Sequence, residues 1–186
     1  MDAVAIIQQV FFLQEKDLAV LLPLFEEVQH PKNSLVIAAE RPAHYLYFIK
    51  EGACRIYYRK DEKEVILDFS FPGDALISLN SYVHGKVGYE NIETMEDALL
   101  YRVNVRELQD LYLHSLGIAN WGRKLAEVET LKIEYRLMSK LFKTASESYD
   151  ELLQRAPHIL HRIKLGFVAS YLGINQVTLS RIRAKG

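Results

Sequence analysis

The chain has 186 residues, 49% of them apolar and 25% charged, enough for a sizeable core in one large or two small soluble domains, and no apolar run approaches the ~18 residues of a membrane span. The formal net charge of −1 conceals an uneven distribution: 17 basic and 24 acidic side chains precede residue 152, whereas Arg155, Arg162, Lys164, Arg181, Arg183 and Lys185 follow with no acid among them. Cys54 is the sole cysteine, which excludes an intrachain disulfide framework, a cysteine zinc site and a four-thiolate iron–sulfur cluster within one chain.

The first stretch, "MDAVAIIQQVFF", opens on an acid and lacks a basic leader, so it does not read as a signal peptide, and a cytoplasmic protein is expected. Residues 1–30 read as helical, with apolar positions at Val4, Ile7, Val10, Phe11, Leu18, Leu21, Leu22 and Phe25. "HPKNS" (30–34) then marks a turn. From there to about residue 103 the runs "SLVIAA", "YLYFIK", "ACRIYYRK", "EVILDFSF", "DALIS" and "ALLYRV" are short and rich in Val, Ile, Tyr and Phe. Punctuated by "EG" and "PG", they predict an antiparallel barrel or roll. "NVRE" returns the chain to helix, Asn104 serving as N-cap with Glu107 at the third helical position.

A long helix is predicted after Gly117. Ile118, Trp121, Leu125, Val128, Leu131, Tyr135, Met138 and Phe142 recur at gaps of 3 and 4, close to a coiled-coil seam. A helix lying on its own β domain is the alternative, since Leu137 and Leu141 widen the stripe. The expected dimer contacts are Trp121, Leu125, Val128, Leu131, Tyr135 and Met138. "TASE" (144–147) is a second capping box and starts a helix that ends near Pro157.

The segment "LGFVASYLGINQVTLSRIR" (165–183) fits a helix-turn-helix in register. Ala169 is the small residue where two helices cross, and Gly173 supplies the turn, where a positive φ is cheap. Val168, Leu172, Ile174, Leu179 and Ile182 fall where apolar side chains hold the pair together. Asn175 can cap the second helix. That helix then presents Gln176, Val177 and Arg181 toward base edges, suited to adenine, a thymine methyl and guanine respectively. Thr178, Ser180, Arg183 and Lys185 are placed for phosphates. The acid-free C-terminal charge agrees with nucleic-acid binding, the alternatives being a solvated basic helix or pairing with the acidic body.

A β-roll, a long helix and a terminal helix-turn-helix together resemble the Crp/Fnr superfamily of bacterial transcription regulators. The likeness is carried by "YLYFIKEGACRIYY" (45–58), "NIETMEDALLYRV" (91–103) and "FVASYLGINQVTLSRIR" (167–183). It implies an α+β chain with a cyclic-nucleotide-binding-like antiparallel roll over 1–115, a dimerisation helix over 116–143 and a winged-helix-like helix-turn-helix domain over 144–186. It also implies a homodimer on a two-fold operator in double-stranded DNA, with RNA polymerase and an unidentified small-molecule effector as further partners. Cyclic AMP is not expected as that effector. Family members that bind it open a phosphate cassette with Gly-Glu and close it with an arginine. Here Gly73-Asp74 stands at the opening, and "GKVGYENIE" (85–93) has no arginine. Glu90 lies near where that arginine would be, and a carboxylate there repels an anion. Gly73, Asp74, Tyr82, Tyr89 and Glu90 are the candidate lining of a ligand pocket, an empty structural roll being the alternative.

No catalytic motif is present: "HGKV" (84–87) lacks the glycine and hydroxyl residue of a phosphate loop, and G-x-S-x-G and H-E-x-x-H are absent. His158 and His161 have no acid or cysteine beside them to complete a metal site, so neither metal nor cofactor is expected, and the chain is read as a non-enzyme. The competing reading is a small-molecule sensor or protein-interaction module whose helix-turn-helix is degenerate, to which the apolar Val177 lends support.

Overall fold

The computed structural model describes residues 1–61, 63–157 and 162–184. Two short helices, α1 (Ala3–Val10) and α2 (Glu15–Leu21), lead through a 3₁₀ turn into β1 (Glu26–His30). The expectation of helix through residue 30 therefore fails at its end. Val28 and His30 are half-buried and Glu26, Glu27 and Gln29 exposed, and β1 is held by pairing with a strand seventy residues away, which local periodicity does not register. The remaining strands are β2 (Leu35–Ile37), β3 (Tyr45–Glu51), β4 (Cys54–Lys60), β5 (Lys63–Ser70), β6 (Ala75–Leu76), β7 (Glu90–Thr94) and β8 (Ala98–Asn104). A short helix, α3 (Leu79–His84), interrupts them between β6 and β7.

The strands form two four-stranded antiparallel sheets, ordered β1-β8-β3-β6 and β2-β7-β4-β5. Between them lies a core of Val36, Ile37, Ile49, Cys54, Leu76, Ile92, Ala98 and Leu100. The period-2 alternation of a strand sends the intervening residues to the outer faces, and these are apolar as well. On the first sheet Leu46, Phe48, Tyr101 and Val103 face outward. On the second, Tyr57, Ile66 and Phe69 do. Both sheets therefore need a cover, and each has a helical one.

The first cover consists of α1, α2, α4 (Val105–His114) and the start of α5 (Leu116–Phe142). Asn104 caps α4 as expected, its carboxamide oxygen accepting from Arg106 N at 2.9 Å and Glu107 N at 3.3 Å. Ser115 caps α5 through Ile118 N at 3.1 Å. Trp121 is fully buried here. Its indole Nε1 donates to Ile7 O at 2.9 Å, and its ring lies 6.0 Å from Phe48 and 6.4 Å from Phe25. Leu125 is buried in the same cluster. These two residues, expected on the dimer seam, belong to the protomer's own core, because α5 begins against the outer face of the first sheet.

The second cover consists of α6 (Ala145–Arg155), α7 (Leu165–Tyr171) and α8 (Gln176–Arg183). Thr144 and Glu147 form the expected reciprocal capping box at the start of α6. Among the described residues no strand follows β8, so the regular elements of the C-terminal unit described are all helices and no wing strand is seen among them. Nor is that unit separate: Tyr149, Leu152, Ile163, Val168, Ala169 and Leu179 share one core with Tyr57, Ile66 and Phe69 of the second sheet. Cys54 lies between the sheets, where burial pushes its thiol pKa up to about 12 and leaves it un-ionised and unreactive. Among the described helices none is long and apolar enough to cross a membrane.

Candidate functional site

The segment read as a helix-turn-helix forms α7, a turn and α8. Gly173 takes φ +70°, the left-handed conformation that a tight turn between two helices requires. Its N–H donates to Ser170 O at 3.1 Å, and Ile174 N donates to Ala169 O at 3.0 Å, which closes the end of α7. Asn175 caps α8, accepting from Thr178 N at 2.8 Å. Val168, Ala169 and Leu179 are buried, and Leu172, Ile174 and Ile182 pack partly buried against them. The side chains assigned to hold the pair together are thus brought into one cluster.

The opposite face of α8 is open. Gln176, Val177, Ser180, Arg181 and Arg183 are exposed, while Thr178 is half-buried. Lys185, assigned to phosphate, and His158 and His161 lie outside the described residues. Arg181 and Arg183 make no ion pair among the described residues, in contrast to the basic residues nearer the roll. Arg155 Nη2 donates to Asp68 Oδ1 at 2.8 Å, and Arg162 pairs with Glu96. The C-terminal charge therefore divides: Arg155 and Arg162 neutralise the acidic body, as one alternative had it, and the arginines of α8 point away from it.

Docking to the second sheet is specific. Ser170 Oγ accepts from Ile66 N at 3.1 Å and donates to Glu64 O at 3.3 Å, so a hydroxyl on α7 satisfies the edge of β5. The Phe69 and Tyr171 rings lie 5.5 Å apart. Arg55, buried and paired with Glu64 and Glu93, sandwiches its guanidinium between Tyr57 and Phe167 at 4.3 Å from each ring. Asp68 receives Arg155 from α6 and Arg136 from α5, each at 2.8 Å, and so joins three elements at one buried carboxylate. Burial works against the charge of Arg155, and Asp68 more than offsets it, so the arginine's pKa is raised.

Beyond Leu125 the long helix leaves the core. Its second half is held on one side by Lys132, which reaches Asp74 and Glu129 at 2.9 Å each, and by Arg136. Leu131, Tyr135, Met138 and Phe142 stand exposed along one stripe, the first three also lining the cleft toward the roll, and Ile133, Leu137 and Leu141 are exposed as well. Val128, half-buried, lies where the stripe meets the roll.

A cleft of about 1060 Å³ separates this half of α5 from the roll. Asp74, Tyr89 and Glu90 of the expected pocket line it. Gly73 and Tyr82 do not. Gly73 forms the turn between β5 and β6, bonded through its N–H to Ile49 O at 2.8 Å. Tyr82 turns to the other side of α3, where its hydroxyl meets that of Tyr112 at 3.0 Å. Ser78, between the cleft-lining Ile77 and Leu79, was not anticipated; its polar side chain within the apolar "ALISL" was the signal available. Among the described residues no group of three His, Cys, Asp or Glu side chains is gathered to hold a metal ion.

Residues 27–115 match the sequence profile of the cyclic nucleotide-binding domain. No curated protein sequence matches the chain. Its fold is shared with FixK2 from Bradyrhizobium japonicum, at 20% identity and TM-score 0.74 over 87% of this chain and 83% of that one. It is shared with a protein from Eubacterium rectale described as a crp/fnr-family transcriptional regulator, at 17% identity and TM-score 0.71 over 93% and 83%. It is shared also with the c-di-GMP-responsive global regulator CLP of Xanthomonas campestris, at 15% identity and TM-score 0.69 over 92% and 91%.

Proposed function

We propose that the chain is a homodimeric, sequence-specific DNA-binding transcription regulator of the Crp/Fnr type, cytoplasmic and not controlled by cyclic AMP. The observation that carries this is the division of α8: its apolar side is fixed in a core shared with the roll, and its other side presents Gln176, Val177, Arg181 and Arg183 to solvent without ion-pair partners among the described residues. A helix so mounted can enter a major groove, where its N-terminal residues meet base edges. That similarly folded proteins are described as a global regulator and a crp/fnr-family transcriptional regulator supports the same reading. Gln176, Val177 and Arg181 are assigned to bases, and Thr178, Ser180, Arg183 and Lys185 to phosphates.

One such helix reads only a few base pairs, so a two-fold pair of heads is needed for a specific site. The exposed stripe Leu131, Tyr135, Met138 and Phe142, with Val128 at its start, is the assigned dimer contact, replacing the seam that began at Trp121. Its residues repeat at the 3-4 spacing of a coiled coil and leave large apolar side chains in water in the protomer. Leu131→Glu is therefore expected to yield a folded monomer with an unchanged far-UV spectrum. An unaltered mass in analytical ultracentrifugation would place the dimer contact elsewhere.

The test of the function is selection from a pool of random DNA duplexes, followed by sequencing of the retained fraction. Enrichment of a motif with two-fold symmetry supports the regulator. Intact dimers that enrich nothing at moderate salt would favour the sensor or interaction module with a degenerate helix-turn-helix. With a motif in hand, Arg181→Ala is expected to relax preference at one base position and cost about 1–3 kcal/mol, while Arg183→Ala weakens all sequences alike and flattens the salt slope. Identical behaviour of the two variants would overturn the division into base and phosphate contacts.

A further inference from the structure

A profile for cyclic nucleotides matches the roll, yet the side chains at its mouth do not suit an anionic ligand. Glu90 is buried, with one carboxylate oxygen accepting from Tyr89 N at 3.1 Å. Its other oxygen, Oε1, has no hydrogen-bond partner among the described residues, and the same holds for the buried hydroxyl of Ser78. Ser78 occupies the N-cap position of α3, where serine ordinarily accepts from the backbone, but its side chain makes no capping bond. The two orphan groups face each other across Gly88: a Cβ placed there would overlap Ser78 Oγ and would stand 2.6 Å from Glu90 Oε1. Buried polar atoms are nearly always satisfied, and each one left unmet is costly. This pair thus forms a tight cradle of acceptors closed around Gly88, where only a residue without a side chain fits, beside the cleft that Glu90 lines.

Of the four cations that line the cleft, Lys132, Arg136, Lys140 and Arg155, all but Lys140 are already paired among the described residues. Lys132 is tied to Asp74 and Glu129, and Arg136 and Arg155 are tied to Asp68. Lys86, the lysine nearest in sequence to Glu90, is exposed in the turn after α3. A cyclic phosphate set against Glu90 would meet a desolvated carboxylate, and Lys140 on the second half of α5 is the one cleft-lining cation without an ion-pair partner among the described residues.

We infer that the cradle of Ser78, Gly88 and Glu90 binds the positively charged end of a small ligand, a primary ammonium or guanidinium group on an apolar body, and excludes cyclic nucleotides. An ammonium group offers three donors, enough to satisfy Glu90 Oε1 and the Ser78 hydroxyl together, with a charge that compensates the buried carboxylate. Ile56, Ile77, Leu79 and Tyr89 supply an apolar wall for the rest of the molecule. The site adjoins α5 and, on the proposed function, gives the regulator its effector class.

The test uses the full chain without DNA, so its outcome is independent of operator selection. Thermal unfolding and calorimetric titration are measured with phenethylamine and agmatine as cationic probes, phenylacetate as an anion of similar body, and cyclic AMP. Saturable stabilisation by at least one cationic probe is expected, with none from phenylacetate or cyclic AMP. Glu90→Gln, which keeps the shape of the side chain, is expected to weaken that binding at least tenfold, and Gly88→Ala to abolish it by displacing Ser78 and Glu90 from each other. Should Gly88→Ala fail to fold, Glu90→Gln and Ser78→Ala carry the comparison. Saturable binding of cyclic AMP, equal binding by wild type and Glu90→Gln, or no cationic probe bound at concentrations of about 10 mM, near the weak end of measurable affinity, would each overturn the inference.

Discussion

Trp121→Ala is expected to lower folding stability by about 3–5 kcal/mol, the range for removing a large aromatic from a packed core. The indole is fully buried, it packs near Phe25 and Phe48, and its N–H is spent on the Ile7 carbonyl. Truncation therefore leaves a cavity and removes one of the two hydrogen bonds accepted by the Ile7 carbonyl, the other coming from Phe11 N at 3.3 Å. In a chain of this length such a loss corresponds to roughly 6–20 °C in melting temperature. Urea denaturation at several protein concentrations is the measurement. A large, concentration-independent fall in the midpoint is expected. A small fall accompanied by dissociation of a dimer would return Trp121 to the interface. The contrast with Leu131→Glu is the informative part, since the two residues lie on one apolar stripe of the same helix and differ only in what covers them.

The second large effect is expected at Asp68. Asp68→Asn keeps the shape of the side chain but removes the charge that Arg136 and Arg155 share, leaving two partly buried guanidinium groups uncompensated. Removing one partner of a fully buried ion pair costs about 3–5 kcal/mol. Arg155 keeps 40% of its side chain in solvent and recovers some hydration, so about 2–3 kcal/mol is the expected loss. The damage should be local: α6 and α7 loosen from the second sheet, uncovering Tyr57, Ile66 and Phe69. Hydrogen exchange in residues 145–155 and 165–183 is expected to accelerate while β3 and β8 keep their protection. A double-mutant cycle with Arg155→Ala that gives a coupling below about 0.5 kcal/mol would show that the carboxylate does not hold the head.

Local physics carries far in this chain. The caps at Asn104, Thr144 and Asn175 were legible because each is a contact between a side chain and a backbone two or three residues away. The pairing of α7 with α8 was legible for a similar reason. Its small residue, its turn glycine and its five apolar positions lie within fifteen residues, and their spacing alone decides which can meet. The short runs rich in Val, Ile, Tyr and Phe likewise announced an antiparallel barrel or roll, and the structure divided its strands into two sheets. The end of the N-terminal helical reading was lost because β1 owes its form to β8, a partner that no local window contains.

What the sequence determined by itself is therefore which faces are apolar and where the local turns and caps fall. What only the tertiary structure decided is what lies against each face. Periodicity drew one stripe from Ile118 to Phe142, and packing divided it, the first third closing the core of the first sheet and the rest left open. The outer residues of the second sheet read simply as strand, and the structure supplied the C-terminal helices as their cover. The meeting of Ser78, Gly88 and Glu90 was equally beyond the sequence, because a short helix and a turn bring together residues whose burial and missing partners exist only in three dimensions. Hydrophobic burial is non-directional, so a pattern records that a surface must be covered and leaves the choice of cover to the whole fold.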